Sequence, residues 1–257
     1  MVNLQEKNER FARLNLILKD EGLTKLQNAT VMVVGLGGVG ASCAQALARG
    51  GIGNLIVIDG DVVDITNINR QLIAFTSTIG RPKTEVMTEM IHDINPYCQV
   101  YPMQKFVRAQ NIEPDFATLP KPDYVIDCID HFYGKVAIIQ WCIEHQVPLL
   151  SSMGAANKLD PGQLLFDYIE NTSYCRMSKT IRLECKELAI NGVEVLYSKE
   201  KAVKIESHGS VKKADTLGST SYMPPIMGMT LASKVIRRLA GLEEYDGIPK
   251  NRVSDNR

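Results

Sequence analysis

The sequence predicts an α/β fold in which a mostly parallel sheet is flanked by helices and extended by antiparallel strands on its C-terminal side. Three observations point there. Val31-Met-Val-Val34 is a β-branched run leading into Gly35-Leu-Gly37-Gly38-Val-Gly40. A small-residue helix follows the glycines. Leu55-Ile-Val-Ile58 then forms a second apolar run that ends in Asp59.

Strand, glycine turn, helix, strand and terminal acid compose the first βαβ unit of a Rossmann-like, nucleotide-binding sheet. Gly35 allows the tight turn, Gly37 lets backbone N–H groups reach a phosphate with no Cβ in the way, and Gly40 allows close helix–strand packing. Asp59 stands where a carboxylate can accept hydrogen bonds from ribose hydroxyls, or can cap the following turn. The motif indicates a nucleotide without saying which one.

A chain of 257 residues with 45% apolar content can bury a large core without disulfides. Its formal net charge is zero, so any attraction to nucleic acid or membrane has to be local. The six cysteines, at 43, 98, 128, 142, 175 and 185, form no CxxC pair, and no charged-then-apolar leader opens the chain. That usage fits a reduced, cytoplasmic protein with no transmembrane segment and no zinc. A single domain spanning 1–257 is expected.

Before the first strand, apolar positions 11, 14, 17 and 18 predict a helix over 8–20, broken by Gly22-Leu23-Thr24. The βαβ order gives this helix no sheet partner, which points to packing on another subunit. After Asp59 comes Asp61-Val-Val-Asp64-Ile-Thr66-Asn67-Ile-Asn69-Arg70-Gln71, a density of amides and charge that a dehydrogenase has no use for. Pro82, Met87, Met90, Ile91 and Ile94 then mark a helix over about 82–94 with Lys83 in its first turn. A lysine there opposes the helix dipole, and such a local conflict often marks a functional demand.

Residues 98–103 and 123–130 read as strands, the second ending in Asp127 and Asp130 at the carboxyl edge where α/β sheets bind ligands. Asp130 is the better candidate for Mg²⁺, because Asp127 can instead serve as an internal hydrogen-bond acceptor. A helix over 134–146 and a strand at 148–152 follow. Alternation at 164–169 and 193–197 predicts antiparallel additions to the sheet. From 171 to 213 nine Lys/Arg stand against five Glu, which reads either as a helix laced with i, i+4 ion pairs or as a basic surface. A mobile loop over 206–222, a helix over about 225–240 and a loosely held tail over 241–257 complete the chain.

The cations and amides answer one chemical demand. If a carboxylate is to attack the α-phosphate of ATP, two anions meet and pyrophosphate leaves, so positive groups and Mg²⁺ have to gather there. Arg13, Arg70 and Lys83 supply charge, and Asp130 supplies the metal ligand. The nucleotide-binding set comprises Gly35, Gly37, Gly38, Asp59, Asp61, Asn67, Asn69, Arg70, Gln71, Lys83, Asp127 and Asp130.

Those motifs, in that order, resemble the adenylating superfamily that includes ubiquitin-activating enzymes and the bacterial activators of thiamine and molybdopterin sulfur carriers. Arg13 in Arg10-Phe-Ala-Arg13 is similar to the arginine that crosses the dimer interface to the partner's triphosphate, which implies a homodimer. Further stretches, Ile94-Asn-Pro96, Ser151-Ser-Met-Gly-Ala155, Lys158, Asp160-Pro161 and Leu196-Tyr-Ser198, are most similar to the tRNA N6-threonylcarbamoyladenosine dehydratases. That resemblance implies that ATP activates the threonyl carboxylate of the modified adenosine. The substrate's own carbamoyl group then closes a ring and releases AMP. It extends to a monovalent cation (Na⁺ or K⁺) near 151–155 and to a cysteine desulfurase or sulfur-acceptor partner. Two other expectations compete: adenylation of the C-terminus of a ubiquitin-like sulfur carrier, and NAD binding by a redox or sensor protein.

Overall fold

A computed structural model describes residues 4–205, 217–245 and 247–251. The β-branched runs form the centre of a seven-stranded sheet: β1 (Thr30–Val34), β2 (Asn54–Ile58), β3 (Gln99–Met103), β4 (Tyr124–Asp127), β5 (Leu149–Ser152), β6 (Leu164–Tyr168) and β8 (Glu194–Ser198), in the order 3-2-1-4-5-8-6. β1 pairs in parallel with β2 and with β4, Val34 standing opposite Ile58 on one side and Asp127 on the other. The two acid-bearing strand ends therefore flank the glycine turn. Between β1 and β4 the chain reverses its direction of travel across the sheet, the switch point at which α/β sheets open a ligand crevice.

Helices cover both faces. α2 (Gly38–Arg49), α3 (Lys83–Ile94) and α7 (Met223–Leu239) pack on one core, and α4 (Ile112–Phe116), α5 (Phe132–Glu144) and α6 (Arg176–Glu187) on the other. Central strands buried on both sides are why 31–34, 55–58 and 124–127 read as continuous apolar runs. α7 lies against α2 so closely that a methyl group on Gly228 would stand 2.1 Å from the Val39 carbonyl oxygen.

Four details differ from the sequence expectation. α1 runs over Leu4–Asn28 and is interrupted at Lys19 (φ 61°), with Gly22 inside the helix. A methyl group on Gly22 would meet Leu18 at 3.3 Å and the Ala240 carbonyl oxygen at 3.4 Å, so the glycine serves close packing under α7 and not a break. Ile17, expected on the buried stripe, is 73% exposed, whereas Phe11 and Leu18 are buried. β8 runs parallel to β5, and β6 alone joins the large sheet antiparallel. Alternation reports which face is buried but not strand direction.

The tail, expected to be loose, is held through Asn251. β9 (Lys250–Asn251) pairs with β7 (Ile190–Asn191), and the Leu149 amide donates to the Gly247 carbonyl. Glu243 bonds both Arg237 and Arg238. Residues 206–216 of the expected mobile loop and 252–257 of the tail lie outside the described residues. No helix among the described residues is long and apolar enough to cross a membrane.

Candidate active site

The glycine turn is built by steric necessity. Gly35 has φ +90°, and a methyl group on it would lie 2.9 Å from Ile129. One on Gly40 would lie 1.7 Å from the Gly35 carbonyl oxygen, which no side chain can occupy. Gly37, at the N-cap of α2, faces only the Gln71 amide at 3.9 Å. Gly38 answers to packing, since Pro224 and the Arg70 carbonyl fill the space a Cβ would take.

Around this turn three other segments converge. Asp59, at the end of β2, accepts from the Leu36 amide (2.6 Å) and the Asp61 amide (2.8 Å), so it both caps its own turn and fastens the glycine loop. Burial pushes its carboxyl pKa upward, opposed by the Lys83 charge and by the two amide bonds. The crossover segment follows. Asn67 is buried and its Oδ1 accepts from the Asp64 amide in a capping box, so its oxygen serves the fold. Arg70 Nη1 donates to the Thr66 carbonyl and to Asn69 Oδ1, and Asn69 donates to the Ser219 carbonyl. Gln71 is buried with its Oε1 unpaired, an acceptor awaiting a donor beside Gly37.

Lys83 begins α3. Only 5% of it is exposed, and its Nζ lies 3.1 Å from Asp61 Oδ2. The ion pair resolves the conflict with the helix dipole, and a solvated surface charge is ruled out. Asp130, in the loop after β4, is exposed and has no partner among the described residues.

Asp127 is corrected to an internal role. It is fully buried and bonds Lys135 Nζ (2.8 Å), Ser151 Oγ (2.6 Å) and the Ile129 amide (3.1 Å). Lys135 also donates to the Ser152 carbonyl (2.7 Å), tying the ends of β4 and β5 together. Arg13 is not brought to this site. Its helix packs through Phe11 and Leu14 near Gly51, beyond the C-terminal end of α2 and thus at the opposite edge of the sheet. Arg13 itself is exposed, with no partner among the described residues.

A site with an amide-lined glycine turn, a buried ammonium and a free carboxylate is equipped to hold a phosphate chain and a hard cation. The model of the ThiF family matches residues 9–255. The chain belongs to the ThiF family. Among ThiF-family relatives it is 37% identical over 241 residues to the tRNA threonylcarbamoyladenosine dehydratase of Bacillus subtilis (strain 168), covering 90% of this chain and 94% of that one. The Escherichia coli tRNA N6-threonylcarbamoyladenosine dehydratase, solved in complex with ATP, superposes with a TM-score of 0.84 at 30% identity, covering 94% of this chain and 98% of that one. The molybdopterin-synthase adenylyltransferase of Haemophilus influenzae is 31% identical over 198 residues, covering 74% of this chain and 79% of that one.

Sequence reasoning missed two features of this ThiF-family site. One is the Lys135 clamp, whose signal is a lysine in the otherwise apolar helix eight residues after Asp127. The other is Pro224, which brings α7 against Gly38 and announces itself only as a helix-starting proline.

Proposed function

We propose that the chain uses ATP to dehydrate N6-threonylcarbamoyladenosine in tRNA to its cyclic form through an acyl-adenylate. The observation that supports this is that buried Lys83, linked through Asp61 and Asp59 to the Leu36 amide, and unpartnered Asp130, one residue after the Ile129 that packs on Gly35, flank one glycine turn. A dinucleotide site has no task for that pair, whereas an attack of one anion on another requires it.

The threonyl carboxylate bonds to the α-phosphorus and the bond to pyrophosphate breaks, with Lys83 and Arg70 offsetting the negative charge. The carbamoyl group then attacks the activated carbonyl and AMP leaves, so the substrate loses one water. Asp59 accepts from ribose hydroxyls, and Gln71 Oε1 has its open acceptor turned to the nucleotide. Asp61 holds Lys83 in place. The exposed Asp130 carboxylate fits Mg²⁺, which would supply charge neutralisation at the phosphates.

A second copy of the chain completes the site. Arg13 lies at the far edge of its own sheet, next to Leu16 and Ile17, which are 74% and 73% exposed, and that apolar exposure supports its serving a neighbour. For tRNA, α6 presents Arg176, Lys179 and Lys186 to solvent, and among the described residues none of the three forms an ion pair. That favours the basic surface over the ion-paired helix. The reaction belongs with tRNA in the cytoplasm.

The deciding experiment is mass spectrometry of the modified adenosine after incubation of the protein with ATP and tRNA. Loss of one water is expected. Release of AMP and pyrophosphate only when a Gly-Gly-ended carrier protein replaces tRNA would overturn the reading in favour of sulfur-carrier activation.

A further inference from the structure

Beside the phosphate site, two loops carry aromatic side chains that the chemistry above does not use. The first, after β3, holds Phe106, which lies over Gly60 so tightly that a methyl group there would stand 2.6 Å from its ring. The second opens α5 directly after Asp130 with His131, Phe132 and Tyr133. Gly134 joins the two loops, for a methyl group on it would be 2.9 Å from the Val107 carbonyl oxygen.

Phe106 is 53% exposed and Tyr133 71%. Tyr133 is braced by Phe132 (ring centroids 5.1 Å apart) and by His131 (5.8 Å). His131 is itself fixed, since its Nδ1 accepts the Gly134 amide at 3.2 Å. The Arg108 guanidinium stands 6.0 Å from the Phe106 ring centre. An apolar side chain held out into water beside a reaction centre has a desolvation gain waiting for a flat partner. Aromatic rings alternating with cations at such a rim match unstacked nucleobases joined by phosphates, and not a smooth apolar protein surface.

We infer that Phe106 and Tyr133 are the stacking platforms for bases of the tRNA loop that flank the reacting nucleotide, with Arg108 taking a phosphate between them. This rests on the tRNA reading above and adds to it the residues that choose a single-stranded RNA loop as substrate.

The test compares wild type with Tyr133→Leu, Phe106→Leu and Tyr133→Phe in steady-state dehydration of modified tRNA, alongside direct ATP binding. Leucine keeps apolar bulk but lacks a π face, and phenylalanine keeps the face. Each leucine variant is expected to raise the KM for tRNA about 5- to 100-fold, the range of one lost base–aromatic stack, with ATP affinity unchanged. Tyr133→Phe is expected to stay within about twofold of wild type, because base stacking needs only the ring.

An active wild type with an unchanged tRNA KM in both leucine variants overturns the platform while leaving the dehydratase reading intact. A wild type that never dehydrates tRNA overturns both. Dissociation of the leucine variants into monomers, read by sedimentation, would assign the rim to a second copy of the chain and overturn the platform as well.

Discussion

Lys83 and Asp130 carry opposite charges beside one glycine turn, the first buried and paired with Asp61, the second exposed and unpartnered among the described residues. Lys83→Ala is expected to lower adenylate formation at least about 100-fold, as loss of one charge-stabilising donor does, with the unfolding midpoint little changed. Asp130→Ala is expected to act similarly and to lose its response to Mg²⁺ titration, both read by pyrophosphate exchange. Asp59 adds a pH dependence. Burial raises its folded-state pKa, so the folded protein holds this proton more tightly than the unfolded chain does. The contribution of Asp59 to stability therefore falls as pH rises through that window. The proposed ribose recognition, which needs the carboxylate, rises instead, so ATP affinity should climb as the pH rises above the usual aspartate range and flatten in Asp59→Asn. Lys83 was legible in the sequence because a lysine in a helix's first turn contradicts the dipole. The internal role of Asp127 was open in the sequence but its partner was not, because the ion pair closes across a strand end and a helix and its one sign, a lysine among apolar residues eight positions on, names no partner. Lys135→Met strands a buried carboxylate and is expected to cost about 3–5 kcal/mol in urea unfolding.

At the scale of elements, α1 shows where pattern reading stops. The apolar spacing of 8–20 located the helix but not its interruption at Lys19, and the continuity through Gly22 goes with packing on Ala240, more than 200 residues away in the chain. Tertiary contact decided what a local breaker signal could not. Arg13 on this helix gives a prediction that belongs to the element: Arg13→Ala mixed with Asp130→Ala should recover part of the activity in verified heterodimers, and no recovery would place Arg13 outside catalysis. The clasp of the tail on α7 is equally non-local. Desolvation opposes ionisation of Glu243, yet its bonds to Arg237 and Arg238 win and hold its carboxyl below the usual range. Its contribution is thus present above the unfolded-state value and lost as pH falls through the folded one. Protection of 247–251 against hydrogen exchange should fall as the pH drops below the usual glutamate range in wild type, and in Glu243→Gln at neutral pH too.

For the whole molecule, the strand order puts the glycine turn, Asp59 and the β4 loop at one crevice, and that much followed from the first βαβ unit together with the strand read at 123–130. What did not follow was direction: β8 could be recognised as a strand from 193–197, but its parallel course is set by the α6 crossover and not by its own residues. With zero net charge, the proposed tRNA attraction has to be local, and the α6 face is the candidate surface. Affinity should drop roughly 10- to 100-fold between about 50 and 200 mM salt for some three phosphate contacts, and a flat response in fluorescence anisotropy would remove α6 from the interface.

The contact of Pro224 and Gly228 with the first turns of α2 has a consequence for how the protein comes into being. The motif at 35–40 emerges from the ribosome long before residue 223, yet one of its walls arrives only with α7. A nascent chain should hold its nucleotide poorly until α7 has been made, so that premature termination before residue 223 yields a product that cannot consume ATP.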